Sequence, residues 1–151
     1  MTTLKTTLHD DLTAAIKARD QLRSATLRLT LSAIGYEETA GKTARELSDE
    51  EVLKIITREV KKRRDAAEAF EKGGRAESAA RERAEAELLT GYLPAQLTDE
   101  ELTALVTDAV AASGATGPAA MGAVMKELRP KLAGRAEGGR VAAEVKRQLA
   151  G

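Results

Sequence analysis

Tyr92-Leu93-Pro94-Ala95-Gln96-Leu97-Thr98-Asp99-Glu100-Glu101 is the stretch on which the reading of this chain turns. It closes one long helical pattern and opens another. Pro94 has no backbone N–H and pushes the residue before it out of the helical region. Thr98 with Glu101 spells a capping box: the hydroxyl caps a free N–H, and the glutamate reaches back to the N–H of the cap residue. Acidic residues at 99 to 101 suit the positive end of a helix dipole. The stretch therefore predicts a stop, a short linker and a start. It divides the chain into an N-terminal helical domain, 1–93, and a C-terminal three-helix domain, 94–151.

Working outward, the N-terminal side carries four helical patterns. Leu4, Leu8, Leu12, Ala15 and Ile16 share one face of a helix over about 2–19. A second helix, about 21–40, has Leu27, Leu31 and Ile34 as its stripe, widened by Ala25, Leu29 and Ala33, with Gly41 as its stop. Ser48-Asp49-Glu50-Glu51 is a second capping box, and it opens a third helix over about 49–72 on Val52, Ile56, Val60, Ala67 and Phe70. Gly73-Gly74 breaks it. A fourth helix, about 75–92, is expected to pack through Ala80, Ala84, Leu88 and Tyr92, with Leu89 beside them. The third and fourth helices should form a long antiparallel hairpin.

Beyond the linker, Leu102, Leu105, Val106, Ala109 and Val110 mark a fifth helix, about 99–112. Pro118 suits the first turn of a sixth, which carries Met121, Val124, Met125 and Leu128 and is expected to end at Pro130. At this spacing the two methionines read as core. Gly134 to Gly139 reads as a loop, with Lys131 and Arg135 outside helices. Val141, Val145 and Leu149 mark a seventh helix. No period-2 strand pattern occurs, so the fold class is all-α.

Composition narrows the chemistry. The 151 residues are 42% hydrophobic and 32% charged, which predicts a folded, soluble chain. Only 2% are aromatic, so the core must be aliphatic. The chain has no cysteine and a single histidine, His9, beside Asp10 and Asp11, which is expected on the surface. Thiolate and multi-histidine metal sites are excluded, and no metal or cofactor is expected. No apolar run approaches a membrane span and no signal-peptide core is seen, so no membrane association and a cytoplasmic location are expected. The carboxylate pairs Glu50-Glu51 and Glu100-Glu101 are explained by capping. Phosphate-loop, nucleophile-elbow and zinc-protease motifs are absent, and no catalytic constellation is visible.

Net charge is zero, from 24 basic and 24 acidic residues, so no global field draws in nucleic acid. Two local features remain. Lys54, Arg58, Lys61 and Lys62 share a face of the third helix within the cluster Arg58, Lys61, Lys62, Arg63, Arg64, a stripe able to track phosphates. Against this, Glu59–Arg63, Lys61–Asp65 and Arg64–Glu68 are spaced to pair on a solvated face. The C-terminal part is acidic first and basic last: Asp99, Glu100, Glu101 and Asp108, then Lys126, Arg129, Lys131, Arg135, Arg140, Lys146 and Arg147. Helix-dipole complementation accounts for Arg129, Lys146 and Arg147, but not for Lys131 and Arg135 in a loop.

Tyr92-Leu93-Pro94-x-Gln96-Leu97-x-x-Glu100-Glu101-Leu102, Met121-Gly122-x-Val124-Met125 and Gly134-Arg135-Ala136-Glu137-Gly138 resemble the GatB/YqeY family, in its free-standing YqeY-like form. Arg28-Leu29-x-x-x-Ser32-Ala33-Ile34 and Glu59-x-x-Lys62-Arg63-x-Asp65, then Phe70 and Gly74-Arg75, fit it too. The turn departs from the family pattern, with Arg135 for lysine and Glu137 for aspartate. Since aspartate is the better cap, the seventh helix should start less crisply.

The resemblance implies an all-α two-part architecture. It also implies a relation to the C-terminal tail of the B subunit of the tRNA-dependent amidotransferase, which contacts tRNA. It therefore implies a non-catalytic module that binds tRNA, or an accessory to aminoacyl-tRNA metabolism with a protein partner there. The expected contact residues are Lys126, Lys131, Arg135, Arg140 and Arg147, with Arg58, Lys61 and Lys62 from the basic stripe. The alternative is a protein-interaction module that uses the hairpin. A carbon–nitrogen ligase with glutamine as amide donor would need residues the sequence does not supply.

Overall fold

A computed structural model describes residues 3–114, 116–132 and 134–150. The chain is all-helical, with α1 (Leu4–Lys17), α2 (Gln21–Thr39), α3 (Asp49–Lys72), α4 (Ala76–Thr90), α5 (Asp99–Ser113), α6 (Met121–Leu132) and α7 (Gly138–Ala150). A 3₁₀ turn, Pro118–Ala120, leads into α6. No described helix is long and apolar enough to cross a membrane. The chain divides into two compact units, Met1–Leu93 and Pro94–Gly151.

The first unit is built on α3 and α4, which pack along their length as a hairpin with α1 and α2 against it. Its core is Leu8, Leu27, Ile34, Val52, Ile55, Ile56, Val60, Ala86 and Leu89. Helix starts follow local chemistry. Ser48 accepts from the Glu51 N–H at 3.2 Å while Glu51 accepts from the Ser48 N–H at 2.8 Å. Thr3 and Asp20 cap α1 and α2 in the same sense. Helix α1 ends in a Schellman turn: Asp20 N–H donates to Ala15 O and Arg19 N–H to Ile16 O. This forces Arg19 to φ 58°, a region that favours glycine.

Several expected faces are rotated. Ile16 is 48% exposed, because Leu8 and Ala15 already fill the contact of α1. Leu29 is 56% exposed, and Thr26 and Thr30 are buried instead. Their hydroxyls donate to the carbonyls one turn back, at 2.8 and 2.9 Å, so burial leaves no polar group unmet. In α4 the buried row is Ala79, Glu85, Ala86 and Leu89, whereas Ala80 and Ala84 face solvent. Glu85 is buried because Arg63 of α3 lies against it, with Nε 3.4 Å from the carboxylate.

The second unit packs α5, α6 and α7 around Leu97, Leu102, Val106, Ala109, Val124, Leu128, Leu132, Ala136, Val141 and Val145. Met121 and Met125 are half-buried against this core, as expected. Two boundaries differ from expectation. Pro130 sits inside α6, which runs on to Leu132. Proline this close to a helix end forfeits one hydrogen bond, and burial of Leu128 and Leu132 one turn apart offsets it. Gly138 and Gly139 belong to the first turn of α7, where the Val141 N–H donates to Glu137 O at 3.1 Å.

Candidate nucleic-acid interface

The linker is folded onto the loop between α6 and α7, within the second unit. Leu97 N–H donates to Arg135 O at 2.8 Å. The Gln96 amide donates to Pro94 O at 2.8 Å and to Gly134 O at 2.9 Å. Gly134 has φ +81°, and a Cβ there would stand 3.6 Å from the Pro94 ring. Proline, glutamine, leucine and glycine at these positions thus form one clamp.

Arg135 and Arg140 belong to the same clamp. Arg135 Nε donates to Ala95 O at 3.3 Å, and its guanidinium lies 3.9 Å from Glu101. Arg140 Nη2 donates to Leu97 O at 2.7 Å and to Asp99 at 3.0 Å. Acidic and basic ends that are segregated along the sequence therefore meet in space at the start of α5. The Thr98 N–H, hydrogen-bonded to Glu101, is the first cause that lowers the Glu101 carboxyl below its ordinary value, and Arg135 adds to it. Arg147 is also engaged: its Nε lies 3.1 Å from both oxygens of Glu144. Arg147, then Gln148, hold the Glu144 carboxyl down to about 2.

The other expected cations fall into two groups. In the first unit, Arg58 pairs with Glu37 at 3.3 Å and Lys61 with Asp65 at 2.9 Å. Arg63 is buried between Glu59, 3.0 Å away, and Glu85, so it leaves the surface cluster. Lys62 is exposed, with no ion pair among the described residues. In the second unit, Lys126, Arg129, Lys131 and Lys146 are exposed and likewise without a carboxylate partner among the described residues. Lys131 lies in the last turn of α6 rather than in a loop, so it also complements the helix dipole.

One residue on this surface was not among the sequence candidates. Gly122 shares the face of Lys126 and Arg129, at i, i+4 and i+7. It is helical, exposed, and has nothing within 4 Å of where a Cβ would stand. Glycine in a helix is disfavoured relative to alanine, by up to about 1 kcal/mol in a helix interior and by less in the first turn where Gly122 lies, and nothing in the packing of α6 requires it. What glycine provides here is close approach to the backbone beside two free cations. Its place in the Met-Gly-x-Val-Met block was the available signal. His9 is exposed. No group of acidic and histidine side chains able to hold a metal occurs among the described residues.

Residues 5–149 match the family model described as Yqey-like protein. Among curated proteins, a Schizosaccharomyces pombe protein described as "Uncharacterized protein C22F3.15" is 30% identical over 91 residues, covering 60% of this chain and 72% of the yeast protein.

Proposed function

The chain belongs to the YqeY-like family, and on that premise we propose that it is a non-catalytic helical module that binds tRNA through α6 of its C-terminal unit. The observation that carries this reading is the face of α6 formed by Gly122, Lys126 and Arg129, with Lys131 exposed on another side of its last turn, where these cations have no carboxylate partner among the described residues. A free ammonium attracts a phosphate without first giving up an ion pair, and each phosphate neutralised releases counterions. With few aromatics to stack on bases, recognition rests on backbone shape. Arg135, Arg140 and Arg147 have a different role in this reading. They hold the linker, the start of α5 and the surface of α7, and so set the shape behind the contact.

The test is titration of a tRNA pool at several salt concentrations. Reversal of Lys126 and Lys131 to glutamate should abolish measurable binding while the fold stays intact. Unchanged binding in that variant would refute the reading. The competing reading, a protein-interaction module on the hairpin, draws on the exposed Ala80 and Ala84 of α4. Capture experiments with and without nuclease separate the two, since only RNA-mediated association is lost on digestion.

A further inference from the structure

We infer that the outer face of α2, with the groove beside it, is a self-association surface on which a second copy of this chain docks about a two-fold axis. The groove lies between α2 and the α3/α4 hairpin and has a volume of about 260 Å³. Ala33 and Ala66 line it and leave it open, and the buried Arg63, Glu59 and Glu85 cluster lies at its wall. Leu29 stands at its rim, 56% exposed. One turn beyond Ala33, Tyr36 is 73% exposed on the same side of α2. These are the two most exposed large apolar side chains described in the unit, and Leu29 borders a groove that it does not fill.

Three observations select a second copy as the occupant. First, knob and hole occur on one surface: a two-fold axis would bring Leu29 of each copy to the groove of the other. A two-fold interface requires this self-complementarity. Second, the groove carries opposite charges at its borders, Lys62 from α3 and Glu82 from α4, and neither has an ion-pair partner among the described residues. A two-fold axis running along the groove would set Lys62 of one copy against Glu82 of the other, twice. The remaining charges of the groove, Glu59, Arg63 and Glu85, are engaged with one another and with Arg81. Third, the exposed sector of α2 is small where helices must approach. Ser32 is exposed, and Gly35, mid-helix, has nothing within 4 Å of where a Cβ would stand. Packing within the unit gives no reason for that glycine, whereas a helix laid across it does.

Sedimentation equilibrium of the full chain over a wide concentration range tests this. The native chain should dimerise. Leu29→Arg, at an exposed site that leaves the core untouched, should weaken the dimer about tenfold or more. Lys62→Glu and Glu82→Lys should each weaken self-association, because like charges then face each other. An equimolar mixture of those two variants should recover it, because the heterodimer restores both opposite-charge pairs. A native chain that stays monomeric at every concentration would overturn the inference and leave the groove to a heterologous helix. So would a dimer indifferent to Leu29→Arg, or a mixture no tighter than its components.

Discussion

Leu97 and Arg135 are joined by a backbone hydrogen bond of 2.8 Å, from the Leu97 N–H to the Arg135 carbonyl. Through it the residues after Pro94 are part of the C-terminal fold rather than a free tether. Gln96 adds two further bonds to the same loop. Replacing Gln96 with alanine removes both, and the C-terminal unit should lose about 1 kcal/mol in denaturant unfolding. Exchange of the Leu97 amide with deuterium should quicken in the same variant. Unchanged protection at Leu97 would show that the side chain does not hold the linker.

The αL conformation of Arg19 predicts a stabilising substitution. Arginine at φ 58° bears a steric cost that glycine does not, and the Schellman bonds need only the backbone. Arg19→Gly should therefore raise stability, by roughly 0.5–1 kcal/mol. Thermal unfolding reads the effect directly, and a lowered midpoint would contradict this account of the turn.

Arg63 lies in the core of the hairpin with two carboxylates around it. Truncating it to alanine leaves Glu59 without its cation and Glu85 with only the more exposed Arg81, and should cost about 3 kcal/mol. Removing all three charges together, as Arg63→Met with Glu59→Gln and Glu85→Gln, should recover a large part of that loss. A triple variant as unstable as Arg63→Ala would place the energy in packing rather than in charge.

Acid should weaken the fold in a defined window. The bidentate contact with Arg45, then the Ser48 N–H, hold Glu51 at about 2, and Glu144 is held at about 2 by Arg147 and Gln148. Both lie below the ordinary 4.5, so folding favours their ionised forms. Their contribution is present above that value and is lost as pH falls from about 4.5 toward 2. The unfolding midpoint should be level above about pH 5 and decline below it. Glu51→Gln should shrink the decline. A midpoint equally acid-sensitive in that variant would exclude Glu51 as a source.

How far the sequence speaks depends on which residues do the speaking. Capping boxes at Ser48 and Thr98 are short-range chemistry, and both appear in the structure as spelled. The buried face of α4 was illegible for a physical reason. Alanine occurs on both the buried and the exposed sides of that helix, and one residue of the buried side, Glu85, is one that hydrophobic periodicity assigns to solvent. Only its partner Arg63, on another helix, explains its place. Thr26 and Thr30 mislead in the same way, since a hydroxyl bonded to its own helix counts as apolar in packing. Pro130 reads as a stop because the pull of Leu132 into the core is a tertiary effect. At the candidate interface, the basic character of the C-terminal end was plain. Which cations are spoken for was not, because Arg135 and Arg140 meet their partners some forty residues back along the chain.

Gly122 offers a variant in which stability and binding should part company. Alanine there meets no neighbour and improves helix propensity in the first turn of α6, so Gly122→Ala should stabilise the C-terminal unit by a few tenths of a kcal/mol, at most about 0.5 kcal/mol. The same methyl group stands where the proposed RNA backbone approaches, and should weaken tRNA binding. Tighter or equal binding in the stabilised variant would remove Gly122 from the interface.

The most direct test of the central claim is the salt dependence of tRNA binding for the native chain and for Lys126→Ala/Lys131→Ala. The account predicts that binding falls steeply with salt, and that the double variant binds more weakly with a slope shallower by about 1 for each lysine removed. Native binding without salt dependence, or a double variant whose affinity and slope match the native chain, would contradict it.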